Sequence, residues 1–469
     1  MRSSNAFPLD DDIVSQIMGF SPDFRTLKAI ILVSKAFYRV FQTHPKVITR
    51  AVAYTIVGPA LPQALRVIRY PYRNYVTQED GPIPMSAACP EDHGPPVIAP
   101  NERNMLEENA SVVGKLEDIY SLINKDRMSR TSVLTVDESW RFRRAMYRIM
   151  LYCNIFPNFP CDGGDAYLEE DDESLQAIRK LRTAFLCQYL ANELQQLASV
   201  VRFLSSIFQN CGSDYEPGSD LLATGPSGAL RTWETRSYND LEIHDLDSPD
   251  ASWTHGYFDI PLRKIWTNRG EVAPSEYESP SKWILDSVNG ADDRCSRCAS
   301  PGGLALFTES NWCRFPLDLT NPLKDQLNHN STLTGPFEAA LTPFLASPAE
   351  IERFIAGLFA LRRREYDGWE PAHSYCIQCF ARFVEDHAWM WFLQQRLRQG
   401  LTPPENCWYG WNCRMQTHNL RHAKTKNAAL MRPHKGFQGS CGVAVSGVKR
   451  EMFASGQYPA HGRTIRLST

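Results

Sequence analysis

A mainly α-helical fold with irregular, metal-stapled segments is what this sequence predicts, and three observations predict it. Apolar residues recur at three- and four-residue steps over several long stretches, as amphipathic helices require. The 31 prolines among 469 residues exceed the usual share and fall largely between those stretches, which fits a loop-rich architecture. Thirteen cysteines, some in closely spaced pairs, supply ligands able to tie irregular chain around a metal. The expected order is a three-helix segment over 1–50, a helical, loop-rich central region over 51–290, and a Cys/His-rich zinc-binding region with a basic tail over 291–469.

At the N-terminus, Leu9, Ile13 and Ile17 stand at i, i+4 and i+8 on one helical face. Asp10, Asp11 and Asp12 occupy the first turn, where the helix dipole favours negative charge. Gly19 and Ser21-Pro22 break the pattern. With Ser21 as cap and Pro22 in the first position, a second helix would carry Leu27, Ile30, Ile31 and Leu32. A third begins near Ser34, presents Phe37, Val40 and Phe41, and stops by His44-Pro45. Stripes this wide exceed what three short helices can bury, so they imply a partner surface.

Val57 to Pro62 opens another amphipathic helix through Leu65 and Ile68, followed by a Pro-rich connection from Tyr70 to Pro100. Thr135 and Glu138 make a capping box for a helix through Trp140, Met146, Ile149 and Met150. From Ser174 to Cys211 the pattern is strongly helical, as one long helix or a bent pair, with Cys187, Cys153 and Cys211 as core residues. Helix signals fade from Gly212 to Ser281. There Gly225-Pro226-Ser227-Gly228 reads as a turn, and Trp253 to Phe258 and Ile265-Trp266 as short strands. A helix resumes at Ser347-Pro348 and runs through Ile351, Phe354, Ile355, Leu358 and Leu361 to Arg364. Another covers Phe380 to Arg398, with Gly400 as its C′ residue.

The net charge of −3 makes no general statement about partners, but its distribution does. Glu169 to Glu173 is an acidic loop. Arg414, Arg421, Lys424, Lys426, Arg432, Lys435 and Lys449 instead follow one another without an intervening Asp or Glu, a stretch suited to a polyanion. No apolar run is expected to span a bilayer, and no signal-peptide core opens the chain. An odd number of cysteines without a secretory signal points to a reducing compartment, nucleus or cytoplasm. The triplet Asn330-Ser331-Thr332 is then expected to carry no glycan. Sequence motifs for catalysis are missing: there is no Gly-x-x-x-x-Gly-Lys-Ser/Thr, Gly-x-Ser-x-Gly or His-Glu-x-x-His.

Cys295-x2-Cys298 and Cys376-x2-Cys379 are the clearest chemical signal, because each turn offers two thiolates to one ion and tetrahedral zinc takes two such turns. The first sits in a knuckle-like loop, Asp-Asp-Arg-Cys-Ser-Arg-Cys. The second precedes a helix, as in treble-clef sites. About eighty residues separate them, so Cys313 or His387 are alternative ligands. Four thiolates would close the coordination sphere, which makes the zinc structural. Cys407 and Cys413, with His418 and His422, form a second candidate tetrad. Sharing of Cys376, Cys379, Cys407 and Cys413 by one ion is the other partition, so one or two Zn2+ ions are expected.

Two resemblances follow from these residues. Phe7-Pro8-Leu9-Asp10, Ile13 with Ile17, Leu27 to Leu32 and Val33-Ser34-Lys35-Ala36-Phe37 resemble the F-box, with Phe7, Asp10 and Phe37 as same-class departures from its usual residues. That likeness implies that Pro8, Leu9, Ile13, Ile17, Leu27 and Leu32 contact a Skp-type adaptor of a cullin ubiquitin ligase. The rest of the chain would recognise a client protein, without catalysis of its own. Cys407, Tyr409, Gly410, Asn412 and Cys413 resemble the poly(ADP-ribose)-binding zinc finger, although the spacings to His418 and His422 are shorter. The finger implies an adenine and phosphate site at Tyr409 and Arg414, and the basic residues Arg421, Lys424 and Lys426 would extend it. Nucleic acid stacked on Trp408, Tyr409 or Trp411 is an equally physical use of these aromatics. The two ends together, with Gly58-Pro-Ala-Leu-Pro-Gln-Ala-Leu-Arg66, resemble F-box proteins abundant in mushroom-forming fungi. A zinc-stabilised protein-interaction scaffold is the remaining expectation.

Overall fold

The computed structural model describes residues 10–70, 91, 95–156, 173–210, 221–237, 241, 256–271, 280–316, 331–401, 405–408 and 413–427. Among them the fold is mainly helical, as expected, and the strands are two two-residue pieces.

Helix α1 (Asp11–Gly19) buries Val14 and Met18, not Ile13 and Ile17. It packs on α4 (Pro45–Val57), and the approach is close because a Cβ on Gly19 would stand 3.0 Å from that of Ala51. Helix α2 (Phe24–Val33) is capped by Asp23, whose carboxylate accepts from the Thr26 N–H. The expected cap, Ser21, instead turns back and donates to the Met18 carbonyl at 2.7 Å, so the helix starts later than predicted. In α3 (Lys35–Thr43), Ser34 accepts from the Phe37 N–H at 3.3 Å. Pro45 ends nothing beyond this helix; it is the first residue of α4, a position that needs no N–H.

After a 3-10 turn at Gly58–Ala60, with Gly58 at φ +78°, α5 (Leu61–Arg69) follows. The run Pro45–Arg69 thereby has the length and mean hydropathy, 1.3, of a membrane span, contrary to expectation. Of its apolar window 56% is buried inside the protein, as for a core helix pair.

Helix α6 (Glu102–Asn124) was not legible in the sequence, whereas α7 (Val136–Ile155) starts with the predicted capping box of Thr135 and Glu138. The stretch after 173 is a broken pair, α8 (Glu173–Leu186) and α9 (Ala191–Gln209). The break exposes Cys187, which is not a core residue, while Cys153 is buried as expected; Cys211 lies outside the described residues. Gly225-Pro226 opens α10 (Gly225–Thr235), and Ile265-Trp266 belong to α11 (Asp259–Arg269), not to a strand. Strand propensity of β-branched and aromatic residues yields there to helical packing against α8. Of Trp253 to Phe258 only 256–258 are described, and they form a turn leading into α11.

One hydrophobic core runs from Val14 on α1 through α4 to α11 and on to Leu285 and Cys313. The N-terminal helices therefore share their interior with the central region. Within that core the guanidinium of Arg148 forms a bidentate pair with Glu91 at 3.0 and 2.6 Å. The loop after α6 adds a buried Lys125, held at 2.7 Å from each carboxylate oxygen of Glu138.

A second core joins Phe307, Trp312 and Phe315 to three further helices. These are α12 (Ser331–Leu345), α13 (Pro348–Phe359) and α14 (Ile377–Arg398). Ser347 caps α13 as expected, though the helix ends five residues before Arg364. Helix α14 closes in a Schellman motif: Leu401 N–H donates to the Arg396 carbonyl and Gly400 N–H to that of Leu397, both at 3.0 Å. A small third unit contains α15 (Met415–His418) and α16 (Leu420–Thr425) between β1 (Glu405–Asn406) and β2 (Lys426–Asn427), which pair in parallel.

Candidate metal centres and docking face

The first centre is built from a tight loop and a helix start. In the loop, Cys295 N–H donates to the Ser300 carbonyl and Ala299 N–H to that of Cys295, each at 2.9 Å. Ala299, just after the second cysteine, adopts φ +57° and turns the chain back toward Cys295. Cys376 is the N-cap of α14, in extended conformation, and Cys379 lies one turn further. The partial positive charge of a helix N-terminus favours thiolates at such positions. The two halves are stitched by Ser296 N–H to the Ser374 carbonyl at 2.7 Å and by reciprocal Phe307–Tyr375 bonds of 2.8 and 2.9 Å.

The sulfurs of Cys295, Cys298, Cys376 and Cys379 all lie within 4.8 Å of one another. Those of Cys298 and Cys376 are 3.6 Å apart. Tetrahedral zinc with bonds of about 2.3 Å would set its sulfurs roughly 3.8 Å apart, so the donor set fits such an ion. A hydrogen bond from the Cys379 thiol holds Cys376 well below the usual thiol range and keeps the proton on Cys379. Proton sharing of this kind marks sulfurs crowded enough to share a cation instead. Cys313 lies in the first core, and His387 binds the Phe383 carbonyl at 2.8 Å through Nδ1; neither belongs to the centre.

Arg127, from the loop after α6, anchors this centre to the first core, a role that no local sequence signal betrays. It is buried, pairs with Asp293, and donates to Ser374 Oγ at 3.1 Å and to the Gly303 carbonyl at 3.2 Å. Gly303 sits at φ +50°, and a Cβ there would meet the Ala291 carbonyl oxygen at 2.6 Å. Gly303→Ala is expected to cost about 2 kcal/mol or more, from left-handed strain plus a backbone clash. A lowered urea midpoint in the metal-loaded protein checks this.

The second centre is a triangle. Cys407, Cys413 and His422 bring their ligand atoms within 4.8 Å of one another, with Cys413 Sγ 3.2 Å from His422 Nε2. His418, expected as the fourth ligand, is not brought to it and is exposed. Two histidines four apart share a face only on a continuous helix, and here Asn419 breaks the chain at φ −129°, ψ 100° between α15 and α16. The Asn419 side chain then caps α16 by accepting from the His422 N–H at 3.0 Å. The partition left open by sequence is thus settled in geometry: Cys376 and Cys379 group with Cys295 and Cys298, and Cys407 and Cys413 with His422.

Around this triangle Arg414, Arg421 and Lys424 are exposed, and Trp408 is 94% exposed. Lys426 is committed to an ion pair with Glu405 across the β1–β2 pairing. Tyr409 lies outside the described residues.

At the other end of the chain, Ile13 and Ile17 are 45% and 43% exposed and Leu32 is 74% exposed. Leu27 is buried in the first core and so is not an available contact, a correction to the expected set. Pro8 and Leu9 lie outside the described residues. Phe20, which no motif included, and Val33, which belongs to the F-box-like segment but was not among the expected contacts, are exposed beside them in the chain. The signal for this was present: α1 carries a second i, i+4 pair, Val14 and Met18, which takes the core and leaves the Ile13–Ile17 pair outside. Comparison of the chain with protein-family models, curated proteins and solved structures gives no match.

Proposed function

We propose that the protein is a non-catalytic substrate receptor of a cullin-type ubiquitin ligase, binding a Skp-type adaptor through its N-terminal helices. The observation that carries this reading is the double use of those helices. Val14, Met18, Leu27, Phe37 and Val40 already fill a core, yet Ile13, Ile17, Phe20, Leu32 and Val33 remain as exposed apolar side chains. Exposed apolar residues concentrated on one small element point to a protein partner. Apart from Phe20, they fall at positions of the F-box resemblance.

In this reading the remainder of the chain holds a client protein, and its mechanism is positioning, which raises the local concentration of a client lysine near the conjugating enzyme. A structural Zn2+ in the four-thiol centre, and a second in the Cys2His triangle, would supply rigidity and no chemical step; soft thiolate donors in tetrahedral array favour that ion. Nucleus or cytoplasm is the compartment such a receptor and its free thiols imply.

Co-purification with the adaptor tests the reading. The wild-type chain is expected to retain the adaptor, and Ile13→Asp with Ile17→Asp to lose it by about a hundredfold or more, since two desolvated anchors each contribute about 2 kcal/mol at such interfaces. Both residues are partly solvent-facing, so the variant should keep the far-ultraviolet circular dichroism of the parent. Failure of the folded wild type to bind would refute the receptor assignment.

A further inference from the structure

We infer that the Cys407–Cys413–His422 unit is a binding site for single-stranded nucleic acid, with Trp408 as a base-stacking platform and Arg414 and Arg421 as phosphate contacts. The argument is one of tethering. Each of these three side chains belongs to the residue next to a member of the triangle: Trp408 follows Cys407, Arg414 follows Cys413, and Arg421 precedes His422. Consecutive Cα atoms are about 3.8 Å apart, so the meeting of the three ligand atoms gathers one indole and two guanidiniums around the same small knot.

Their exposure separates this cluster from a packed core. Trp408 is 94% exposed, the highest value among the large exposed apolar residues described, although an indole of its size normally finds cover. Its neighbour Cys407 is buried, so the backbone beneath the ring is held while the ring itself projects into solvent. Arg414, Arg421 and Lys424 are exposed as well, and among the described residues none of them is in an ion pair. The nearby carboxylate, Glu405, is taken by Lys426. From Asn406 to Arg450 the sequence contains no Asp or Glu, so no acidic side chain from this stretch repels a polyanion.

An aromatic face beside cations is the arrangement single strands require: bases stack without regard to sequence, and the backbone meets positive charge. A duplex hides its base faces and would leave Trp408 unused. Charge alone would equally suit an acidic protein, but the bare indole favours a ligand with flat rings of its own. This site is independent of adaptor docking at the N-terminus, and either can fail without the other.

Fluorescence anisotropy on the metal-loaded full chain tests the site, with labelled short oligo-uridine and oligo-thymidine as single strands. A labelled duplex, heparin and poly(ADP-ribose) serve as comparisons. Binding of a single strand is expected, weakened about tenfold or more by Trp408→Ala and largely restored by Trp408→Phe. Arg414→Ala and Arg421→Ala should each flatten the dependence of affinity on salt by about one phosphate contact. Heparin binding should respond to the arginines and not to Trp408. Unchanged metal content in each variant shows that the knot is intact, and if Trp408→Ala sheds metal, the Phe and arginine variants decide. The inference is overturned if the wild type binds no single strand, if the Trp408 variants bind as well as the parent, if duplex is preferred, or if poly(ADP-ribose) displaces the single strands at lower concentration than they displace it.

Discussion

Cys376→Ser is expected to dissolve the second core while leaving the first folded. Cys376 is both a candidate metal ligand and the N-cap of α14, and its neighbour Tyr375 carries the reciprocal bonds to Phe307. Serine retains a capping oxygen but loses the soft anionic donor, so the loss is of metal and not of helix propensity. The magnitudes decide the outcome. Structural zinc contributes apparent free energies of about 10–16 kcal/mol, which matches or exceeds the roughly 5–15 kcal/mol stability of a whole domain. Buried residues such as Phe315, Phe354 and Phe380 then lack a frame that holds α13 and α14 around them. Hydrogen exchange provides the check: amides of α14 should lose protection in the variant, and equally in the chelated wild type, while those of α7 and α9 keep theirs. Full protection of α14 after verified metal removal would show that apolar packing alone holds the unit.

The second large effect is expected at Glu138. Its side chain is 0% exposed, yet it is an ion: both oxygens take Lys125 Nζ at 2.7 Å, and the N–H groups of Thr135 and Asp286 donate at 2.8 and 2.7 Å. Burial alone would raise its pKa, but Lys125 and the two backbone donors outweigh it and hold the carboxyl down at about 2. Glu138→Gln strands an ammonium that is only 5% exposed, and breaking such a pair costs about 3–5 kcal/mol. Thermal or urea denaturation at neutral pH measures that loss.

The pH dependence has a definite sign. Because the folded pKa lies below the unfolded value near 4.5, the stabilisation is complete above that value. It is then lost progressively as pH falls toward about 2. The Gln variant should lack this component of acid sensitivity. Replacing the pair together, as Lys125→Met with Glu138→Leu, should recover only the part lost to the lone buried charge, since the N–H groups of Thr135 and Asp286 still lose their acceptor.

What was legible in the sequence follows the range of the forces involved. Capping is local, so Thr135 with Glu138 and Ser347 could be read directly, as could the Gly400 stop. Helix α6 escaped because only the small Ala110 bridges the two turns between Leu106 and Val113 and because its inner face includes Glu117, a buried carboxylate paired with Arg143. On α1 the outward pair Ile13 and Ile17 was legible, but the inward pair Val14 and Met18 was not, since two i, i+4 pairs compete there and packing on α4 chooses between them. At the metal centres the ligand types and most positions were visible as Cys-x-x-Cys turns. Their grouping was not, because it depends on a long-range closure between the knuckle and α14, and on a local break at Asn419 that removes His418. Arg127 left no trace at all: an arginine in a loop gains meaning only when Asp293, Ser374 and Gly303 arrive from distant chain.

The continuity of the first core from α1 into α11 has a mechanical consequence. A docking element joined by a flexible tether lets its cargo sweep a sphere, and its effective concentration falls as the tether lengthens. Here Val14 and Met18 are gripped by the same interior as Tyr152 and Phe203, so the N-terminal helices move with the body as a handle moves with its blade. In the proposed receptor role, this build would present a bound client at one distance and one angle, and select among its lysines by where they stand.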